Sequence, residues 1–209
     1  MRVLIADDHH LIREGLSRAL TATTGISAVG EAGHGQEALD MVRAGGWDIL
    51  ILDINLPGKS GFDVLAELRQ HEPPVPVLVL SMHPAMTFGV RALRAGAAGY
   101  LAKTSPTEEL IKAVFRVASG GRYISAEIAD RLAEHVAETS EMPPHELLSE
   151  REFQVLLSIG EGKTVGEIAR ALHLNVKTIS TYRAHILEKM HLANNAQLMQ
   201  YVLTHDLLP

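Results

Sequence analysis

Residues 49–61 read ILILDINLPGKSG, and the fold of the first part of the chain can be inferred from them. Its four leading apolar residues are typical of a strand that is buried on both faces of a parallel sheet. Pro57, Gly58 and Gly61 indicate a loop after that strand, so Asp53 is predicted to stand at its carboxyl end. Ligands bind at this edge in open α/β sheets. Because a buried carboxylate is costly without a cationic partner, we expect the rest of the chain to supply one.

Length and composition limit the possible classes of protein. The 209 residues suit one large domain or two small ones, and 46 % hydrophobic residues are enough for compact cores. With no Cys, the chain has neither a disulfide framework nor a thiolate metal site. No apolar run approaches the ~18 residues of a membrane span, and the start MRVLIADDHH is unlike a signal peptide. We therefore expect a soluble, cytoplasmic protein without a membrane partner.

Charge is distributed unevenly along the chain. The net charge of −6 argues mildly against binding to nucleic acid, but residues 125–145 alone carry five acidic residues against one basic residue. The segments 1–124 and 146–209 are each close to neutral. The acidity therefore belongs mainly to the middle of the chain, which we interpret as a linker.

Five apolar runs alternate with five helical patterns in the first part of the chain. Strands are predicted at residues 3–6, 26–32, 49–52, 75–80 and 98–102. Apolar residues at helical spacing follow each strand, at residues 11–20, 36–43, 62–68 and 85–95 and after Pro106. This strict alternation predicts an α/β domain with a five-stranded, doubly wound parallel sheet.

The predicted strand ends bring five polar side chains to one edge of this sheet. Asp7 and Asp8 follow the first strand, Asp53 the third, Ser81 the fourth and Lys103 the fifth. Three converging carboxylates repel each other unless a hard cation lies among them, and an oxygen-only ligand set suits Mg²⁺. Lys103 and Ser81 offer a cation and a donor to phosphoryl oxygens. The pattern predicts phosphoryl transfer to a nucleophilic carboxylate.

Four sequence motifs coincide with these strand ends: DD at 7–8, DINLPGKSG at 53–61, S at 81 and GYLAK at 99–103. Together they resemble the receiver domain of bacterial two-component response regulators, over residues 1 to about 120. The resemblance implies a flavodoxin-like fold and a partner sensor histidine kinase whose phosphohistidine gives its phosphoryl group to Asp53. It also implies Mg²⁺ held by Asp7, Asp8, Asp53 and the backbone carbonyl of Asn55, contacts from Ser81 and Lys103 to the phosphate, and Tyr100 as a switch.

Simpler interpretations compete for some of these residues when each is taken alone. An Asp at a strand end is often only a cap, and Tyr100 fits ordinary packing as well as a switch. His9 and His10 lie beside two acids, as metal ligands would, but a solvated helix start is the favoured interpretation of the pair.

The second part of the chain is predicted to be helical. Residues 126–137 have apolar side chains at helical spacing, and TSEMPPH at 139–145 is a candidate flexible joint. We therefore divide the chain into a receiver-like domain at residues 1–122, a linker at 123–145 that contains a helix, and a helical domain at 146–209.

Local signals in the helical domain indicate a helix-turn-helix. Two capping boxes are formed by Ser149 with Glu152 and by Thr164 with Glu167. His173 and Leu174 form a tight turn, and Asn175 can cap the helix that follows it. A longer helix at residues 176–190 follows the turn, which is typical of this motif.

The helix at residues 176–190 is predicted to have two different faces. Successive residues advance by about 100°, which groups on one face the apolar side chains of Val176, Ile179, Ile186, Leu187 and Met190. The opposite face carries Lys177, Thr181, Ala184 and Glu188, flanked by Ser180 and His185. Residues 163–190 hold five Lys or Arg against two Glu. This narrow, locally basic face suits the major groove of DNA.

The segments LSEREFQVL, GKTVGEIARAL and NVKTISTYRAHILEKM resemble the LuxR-type DNA-binding domain, and the whole chain resembles a NarL/FixJ-type response regulator. The resemblance implies binding to double-stranded DNA, a homodimer after phosphorylation, and an unphosphorylated receiver that covers the recognition helix. By position, the residues that would face bases are Ser180, Thr181 and Ala184. The residues that would contact phosphates are Lys177, Arg183 and Lys189, and Thr178 belongs to the same DNA-binding set. The family's dimer surface matches Leu198, Tyr201 and Val202, which core packing explains nearly as well.

Two other functions compete with a phosphorylation-switched transcription factor, which is the leading prediction and is not an enzyme. A phosphatase of the haloacid dehalogenase type would also use Asp53 and Mg²⁺, but such enzymes need a second acid two residues after the nucleophile, where this chain has Asn55. The third possibility is a receiver that only binds proteins, with its helices docking a partner. Loss of DNA binding despite an intact fold would favour it.

Overall fold

The computed structural model describes residues 1–70, 74–82, 85–125, 129, 143–205 and 207–208, in two compact units, Met1–Ala137 and Glu138–Pro209. The first unit contains Arg2–Ala6 (β1), His10–Thr21 (α1), Ala28–Ala32 (β2), Gly35–Ala44 (α2), Ile49–Leu52 (β3), Gly61–Leu68 (α3), Val77–Ser81 (β4), Ala85–Ala95 (α4), Gly99–Ala102 (β5) and Thr107–Ala118 (α5). The second contains the 3-10 helix Pro144–Leu147 and the α-helices Glu150–Gly160 (α6), Val165–Ala171 (α7), Val176–Lys189 (α8) and Asn195–Thr204 (α9). Over the described residues, no helix has the length and hydropathy needed to cross a membrane.

The five strands form one parallel sheet in the order β2-β1-β3-β4-β5. In this register Ile5 of β1 lies beside Ile51 of β3, which in turn lies beside Leu78 of β4. The arrangement confirms the predicted doubly wound sheet, and its strand order is that of flavodoxin-like folds. The strand order reverses between β1 and β3. The loops after these two strands therefore meet at the switch point, where ligands bind in such sheets.

The apolar runs of the central strands are explained by helices on both faces of the sheet. Ile5 and Ile51 pack in one cluster with Leu20 of α1 and Val114 of α5. Leu4, whose side chain points to the opposite face because strand residues alternate, is equally buried. Each methylene group so buried contributes roughly 0.8 kcal/mol. A strand covered on both sides has no position for a polar side chain until it ends.

The second unit has a separate core formed by its own helices. Both predicted capping boxes are present. The side chains of Ser149 and Thr164 each accept the backbone N–H of the third helical residue, and the carboxylate of that residue accepts the backbone N–H of Ser149 or Thr164 in return. Asn175 caps α8 as predicted. Ile179 and Ile186 of α8 are fully buried. The order of a short helix, a turn and a longer helix confirms the predicted helix-turn-helix arrangement of α7 and α8.

Some boundaries differ from the expected ones for identifiable reasons. The expected strand at 75–80 begins only at Val77, because Pro76 has no N–H to donate to a neighbouring strand. Pro106 precedes the first turn of α5 instead of lying within it. The helix expected at 126–137 lies outside the described residues except for position 129.

The flexible joint expected at 139–145 does not extend to its last residue. His145 lies in the 3-10 helix and is 8 % exposed. Its Nδ1 is 2.8 Å from the hydroxyl of Tyr201 in α9, and its ring stacks on Phe153 of α6. His145 is therefore part of the core of the second unit, and residues 139–142 of the expected joint lie outside the described residues.

Candidate functional site

Asp53 immediately follows β3, and its side chain is 2 % exposed. The loop after it folds back tightly, since the backbone N–H of Asn55 donates to Asp53 Oδ1 at 3.2 Å. Gly61 closes the loop at the start of α3, where a Cβ atom would lie only 2.4 Å from the carbonyl oxygen of Asp53. This close approach explains why the last residue of the LPGKSG segment, Gly61, has no side chain. It also fixes the carboxylate at the edge of the sheet.

Lys103 supplies the cation that a buried Asp53 requires. It follows β5, two strands away from Asp53, and its side chain is 3 % exposed. Its ammonium nitrogen lies 2.7 Å from Asp53 Oδ2 and 2.6 Å from Asp7 Oδ2. The backbone N–H of Lys103 donates to the carbonyl oxygen of Ser81 at 2.7 Å, which ties the ends of β4 and β5 together. One cation therefore bridges the carboxylates that follow β1 and β3.

Burial and charge shift the protonation equilibria of this pair. Burial has the largest effect and raises the pKa of Asp53, while Lys103 opposes the rise and Asp7 adds to it. Burial acts to lower the pKa of Lys103, but the carboxylates of Asp53 and Asp7 outweigh it, so this pKa is raised. Lys103 therefore stays cationic at neutral pH. Asp53 is a carboxylate whose charge solvent barely compensates, since its side chain is 2 % exposed.

Asp7 and Asp8 form the acidic part of the site. Asp7 is 1 % exposed, and its Oδ1 accepts the backbone N–H of His9 at 2.9 Å. Asp7 Oδ2 is buried against the Lys103 ammonium, whereas Asp8 Oδ1 is buried and accepts no hydrogen bond from a described group. Ligand atoms of Asp7, Asp8, His9 and Asp53 all lie within 4.8 Å of one another. Buried acceptor oxygens without donors are what a cation site requires, so this set of residues fits a divalent metal ion.

Ser81 and Tyr100 lie beside the acids on the adjacent strands. Ser81 ends β4 and is fully buried, and Tyr100 of β5 is 1 % exposed. Burial raises the pKa of Tyr100 well above its ordinary value, and a hydrogen bond with the Ser81 side chain opposes that rise. The phenol is therefore neutral, and it is coupled to the Ser81 hydroxyl by that hydrogen bond. The structure thus brings together every strand-end residue that the sequence predicted, from Asp7 to Lys103.

The outer face of α8 carries most of the residues predicted to bind DNA. The exposed ones are Val176, Lys177, Ser180, Thr181, Ala184, His185 and Glu188, whereas Thr178 is half-buried. The hydroxyl groups of Ser180 and Thr181 donate to the backbone carbonyls of Val176 and Lys177 one turn earlier. Their oxygens remain available as acceptors at the surface. Val176 was expected on the apolar face, but it is 52 % exposed because it begins the helix.

Two cations expected to contact DNA phosphates are engaged within the second unit. Lys189 Nζ lies 2.7 Å from Oε2 of Glu152, a residue that is 3 % exposed. Arg183 is half-buried, and its Nε donates to the side-chain oxygen of Asn195. Phosphate contacts at both positions stay a prediction, since the Lys189 side chain is 42 % exposed despite its ion pair. Lys177 is exposed on the outer face of α8.

Two of the three residues of the predicted dimer surface on α9 lie in the core of the second unit. Leu198 and Val202 are fully buried, and Val202 lies so close to α6 that a Cβ on Gly160 would be 2.5 Å from it. Tyr201 is half-buried against His145. The exposed apolar side chains of α9 are those of Met199 and Leu203, at 36 % and 64 %. Any contact of this helix with another molecule must use that other face.

Sequence reasoning missed the roles of Glu152 and His145. Glu152 was identified as a cap, but its carboxylate also pairs with Lys189 and lies 3.7 Å from Nδ1 of His185. His145 was assigned to a flexible joint. Neighbouring residues in the sequence could not predict these roles, because Lys189 and Tyr201 lie more than 30 residues away from Glu152 and His145, respectively.

Comparisons with known proteins agree with both units. Residues 3–115 match the family described as response regulator receiver domain, and residues 146–202 match bacterial regulatory proteins of the luxR family. The chain is 34 % identical to response regulator UvrY of Escherichia coli strain K12, over 99 % of this chain and 95 % of UvrY. It is also 34 % identical to response regulator GacA of Pseudomonas aeruginosa, over 100 % of this chain and 98 % of GacA.

A solved structure provides a further comparison. RcsB from Salmonella enterica serovar Typhimurium, bound to promoter rprA in the presence of the phosphomimetic BeF3−, is 25 % identical with a TM-score of 0.64, over 96 % of this chain and 97 % of RcsB. Together with the two family matches and the relatives at 34 % identity, these findings lead to one assignment. The chain belongs to the response regulators, with a receiver domain in its first part and a luxR-family DNA-binding domain in its last.

Proposed function

We propose that this protein is a transcription factor whose DNA binding is switched by phosphorylation of Asp53, with a sensor histidine kinase as the phosphoryl donor. The observation that carries the proposal is the position of Lys103. Its ammonium nitrogen lies 2.6 Å from Asp7 Oδ2 and 2.7 Å from Asp53 Oδ2 at the switch point of the sheet. A carboxylate in this place is reachable from the edge where ligands bind. The cation beside it is positioned for phosphoryl oxygens.

In the proposed reaction, a carboxylate oxygen of Asp53 forms a bond to phosphorus while the bond from phosphorus to the kinase imidazole breaks. The imidazole leaves with its nitrogen lone pair and is then protonated. Lys103 transfers one of its hydrogen bonds from Asp53 to a phosphoryl oxygen and keeps its contact with Asp7. The Ser81 hydroxyl, now coupled to Tyr100, becomes a donor to the phosphoryl group. Tyr100 must then adjust, which makes it the candidate switch residue.

The residues that would hold Mg²⁺ are Asp7, Asp8 and Asp53 with the backbone carbonyl of Asn55. Support comes from Asp8 Oδ1, which is a buried acceptor without a hydrogen-bond donor among the described groups. Carboxylate oxygens are the ligands that this ion prefers. When bound, Mg²⁺ neutralises negative charge on the phosphoryl oxygens. The protein's own contribution is to hold three acids and one ammonium group at fixed positions before the donor arrives.

The DNA-binding surface is proposed to be the outer face of α8, with Lys177 contacting phosphate and Ser180, Thr181 and Ala184 facing bases. The relative RcsB has been solved bound to a promoter, and its likeness covers both units of this chain. Small side chains at three of these four positions leave few direct hydrogen bonds to base edges. We therefore infer that sequence preference depends in part on DNA shape, and that two copies bind together to gain affinity.

The test of the proposed function is phosphorylation of the full chain by acetyl phosphate with Mg²⁺. The intact mass should rise by one phosphoryl group in the wild type and in Asp40→Ala, a control at an exposed acid on α2. It should not rise in Asp53→Ala. Affinity for genomic fragments selected with the phosphorylated protein should increase on phosphorylation of the first two proteins only. A mass increase in Asp53→Ala would assign the phosphoryl group to another residue.

The competing function as a phosphoester hydrolase is not favoured by this site. Hydrolases of that class need an acid two residues after the nucleophile to protonate the leaving group, and Asn55 cannot do so. We propose that the protein accepts one phosphoryl group and does not turn over small phosphoesters. Steady release of phosphate from a generic phosphoester, dependent on Asp53, would contradict this.

A further inference from the structure

Tyr123 is a residue to which the proposed function assigns no part, and it lies against the strand that carries Tyr100. After α5 ends, Gly120 adopts a φ of 82° and turns the chain back toward β5. Residues 121–123, which we call the strap, then lead to a parallel pairing of Tyr123 with Gly99 of β5. The strap thus contacts the same short strand that contributes Tyr100 to the acceptor site.

The backbone of Tyr123 pairs with the outer edge of β5. Among the described strands, β5 is the last of the sheet, and β4 is its neighbour on the other side. The backbone N–H of Tyr100 donates to the carbonyl oxygen of Tyr123 at 3.2 Å, and the N–H of Tyr123 donates to the carbonyl oxygen of Ala98 at 3.1 Å. A Cβ atom on Gly99 would lie 2.8 Å from the same Tyr123 oxygen. Gly99 therefore permits an approach that a side chain would prevent.

The strap is also fastened to α5. The hydroxyl of Tyr123 donates to Glu109 Oε1 at 2.9 Å. Nε of Arg116 donates to the carbonyl oxygen of Arg122 at 2.7 Å, and the backbone N–H of Gly121 donates to the carbonyl oxygen of Arg116 at 2.9 Å. The half-buried ring of Tyr123 packs against the core of the first unit. A movement of β5 relative to α5 must therefore strain or break contacts of the strap.

Tyr100 connects the strap with the acceptor site. Its phenol shares a hydrogen bond with the Ser81 side chain, and its backbone N–H donates to Tyr123. In the proposed reaction the Ser81 hydroxyl turns to the phosphoryl group, Tyr100 adjusts, and Lys103 moves a hydrogen bond to the same group. Because β5 has four residues and ends next to Lys103, these changes act on the whole strand. Hydrogen bonds weaken steeply as their angle falls, so the contacts of Tyr123 respond to them.

We propose that Tyr123 is the positioning residue through which the state of the acceptor site is transmitted to the chain that leads to the second unit, with its hydroxyl and its backbone together fixing the strap. This inference rests on the proposed function, because it takes phosphorylation of Asp53 as the event that moves Tyr100. Tyr123 is also the first residue of the predicted linker at 123–145. A change in its hydrogen bonds therefore acts on the linker where the linker begins.

The test measures the DNA affinity of the full chain before and after treatment with acetyl phosphate and Mg²⁺, and compares the ratio of the two affinities. Tyr123→Phe keeps the ring and both backbone hydrogen bonds but removes the hydroxyl that donates to Glu109. It should gain one phosphoryl group, as the wild type does, and its ratio should be about 2- to 30-fold smaller, the range over which substitutions in coupled networks act. A lower melting temperature with an unchanged ratio would show that Tyr123 only supports the fold, and would overturn the proposal.

Glu109 and Glu108 provide a partner and a control on α5. Glu109→Ala should reduce the ratio as much as Tyr123→Phe, and the double variant should be no worse than either, since both changes remove one hydrogen bond. Glu109→Gln keeps an oxygen that accepts the hydroxyl and should retain most of the ratio. Glu108→Ala, at the neighbouring exposed acid, should leave the ratio unchanged. Losses that add in the double variant would contradict the proposal, because the two side chains would then act separately.

Fluorine NMR follows Tyr123 directly. The chain has four Tyr residues, and in protein labelled with fluorotyrosine the resonance that is missing from Tyr123→Phe belongs to Tyr123. It should shift when the wild type is phosphorylated and stay in place in treated Asp53→Ala. A wild type that gains a phosphoryl group and changes its DNA affinity while this resonance does not move would refute the role of Tyr123 alone. A wild type that gains no phosphoryl group would refute the proposed function, and this inference with it.

Discussion

The ammonium group of Lys189 lies 2.7 Å from Oε2 of Glu152, so the end of α8 is fixed to the start of α6. Glu152 also accepts the backbone N–H of Ser149, at 2.7 Å through the same oxygen. Its carboxylate is therefore shared between a helix cap and a contact with a helix 37 residues away in sequence. In the unbound protein the lysine at the end of this candidate recognition helix is therefore engaged with Glu152.

Lys177 and Lys189 provide a matched pair of substitutions on α8. Lys177→Ala should weaken binding to all DNA sequences and reduce the slope of log affinity against log salt by about 0.9, because one phosphate contact is lost. Lys189→Ala should leave that slope nearly unchanged, because its cation is paired with Glu152. The measurement is a titration of both variants against one DNA fragment at several salt concentrations. Equal changes in slope would show that Lys189 exchanges Glu152 for phosphate on binding.

Glu152 should contribute stability that depends on pH. Burial alone would raise the pKa of Glu152, but hydrogen bonds from Lys189 and Ser149 outweigh it and hold this pKa below its ordinary value. A carboxyl whose pKa is depressed by folding stabilises the protein above its unfolded pKa of about 4.3, and this contribution disappears as the pH falls through the lower folded value.

Glu152→Gln should therefore lower the free energy of unfolding of the second unit by about 1–2 kcal/mol at pH 7. This is at the low end for charged hydrogen bonds because the Lys189 side chain is 42 % exposed. The difference from wild type should diminish below about pH 4. Chemical denaturation at several pH values measures it, with Glu188→Gln, an exposed acid on α8, as the control. A loss that is the same at pH 7 and pH 3 would mean that shape, and not charge, matters at this position.

The acidic site could be predicted from the sequence because its residues stand where apolar runs end. Asp53, Lys103 and Ser81 come from different strands, yet the sheet brings all strand ends to one edge, and their order along the chain is enough to place them. The orientation of the His9 ring could not be predicted, since a side-chain torsion angle next to a helix start has no signal in residue spacing.

Helical periodicity was a weaker guide in the second unit. It identifies the face to which a side chain belongs but not what covers that face. Val176 falls on the apolar side by angle and is nevertheless 52 % exposed at the first residue of α8. Leu198 was compatible with a surface or a core, and only the packing of α9 on α6 decides between them.

Leu198 and Leu203 distinguish the two faces of α9. Leu198→Ala should destabilise the second unit by about 2–5 kcal/mol, since it removes buried methyl groups and leaves a cavity. Leu203→Ala should change stability by less than about 0.5 kcal/mol, because this side chain is 64 % exposed. Thermal denaturation measures both. If the destabilisation caused by Leu203→Ala depended on protein concentration, a second copy of the chain would cover that exposed face.

Divalent cations should stabilise the receiver domain through its three acids. Ligand binding to the folded state alone adds about 2.7 kcal/mol at a concentration one hundred times the dissociation constant. Mg²⁺ should therefore raise the melting temperature of the first unit in the wild type and in His10→Ala. Asp8→Asn should remove most of this increase, because Asp8 Oδ1 is a buried acceptor without a donor among the described residues. A Mg²⁺ effect of equal size in Asp8→Asn would place the ion elsewhere.

The last prediction concerns control of DNA binding by the receiver. The second unit has its own core and contains the whole outer face of α8, so a fragment of residues 138–209 should fold and bind DNA without phosphorylation. Resemblance to the NarL branch predicts that the unphosphorylated full chain binds more weakly. If only about 1 % of its molecules are competent, the apparent dissociation constant rises about 100-fold.

Phosphorylation can supply the free energy to reverse that balance. A change from 1:99 to 99:1 requires about 5.5 kcal/mol, and charge-assisted hydrogen bonds such as those from Lys103 and Ser81 to a phosphoryl group provide about 1.5–3 kcal/mol each. The experiment titrates the fragment, the unmodified chain and the phosphorylated chain against one selected DNA fragment at fixed salt, with acetyl-phosphate-treated Asp53→Ala as the control. The fragment and the phosphorylated chain should bind tightly and the other two weakly. If the fragment binds no better than the unmodified chain, the receiver does not block α8, and phosphorylation must instead act by bringing two copies together on DNA.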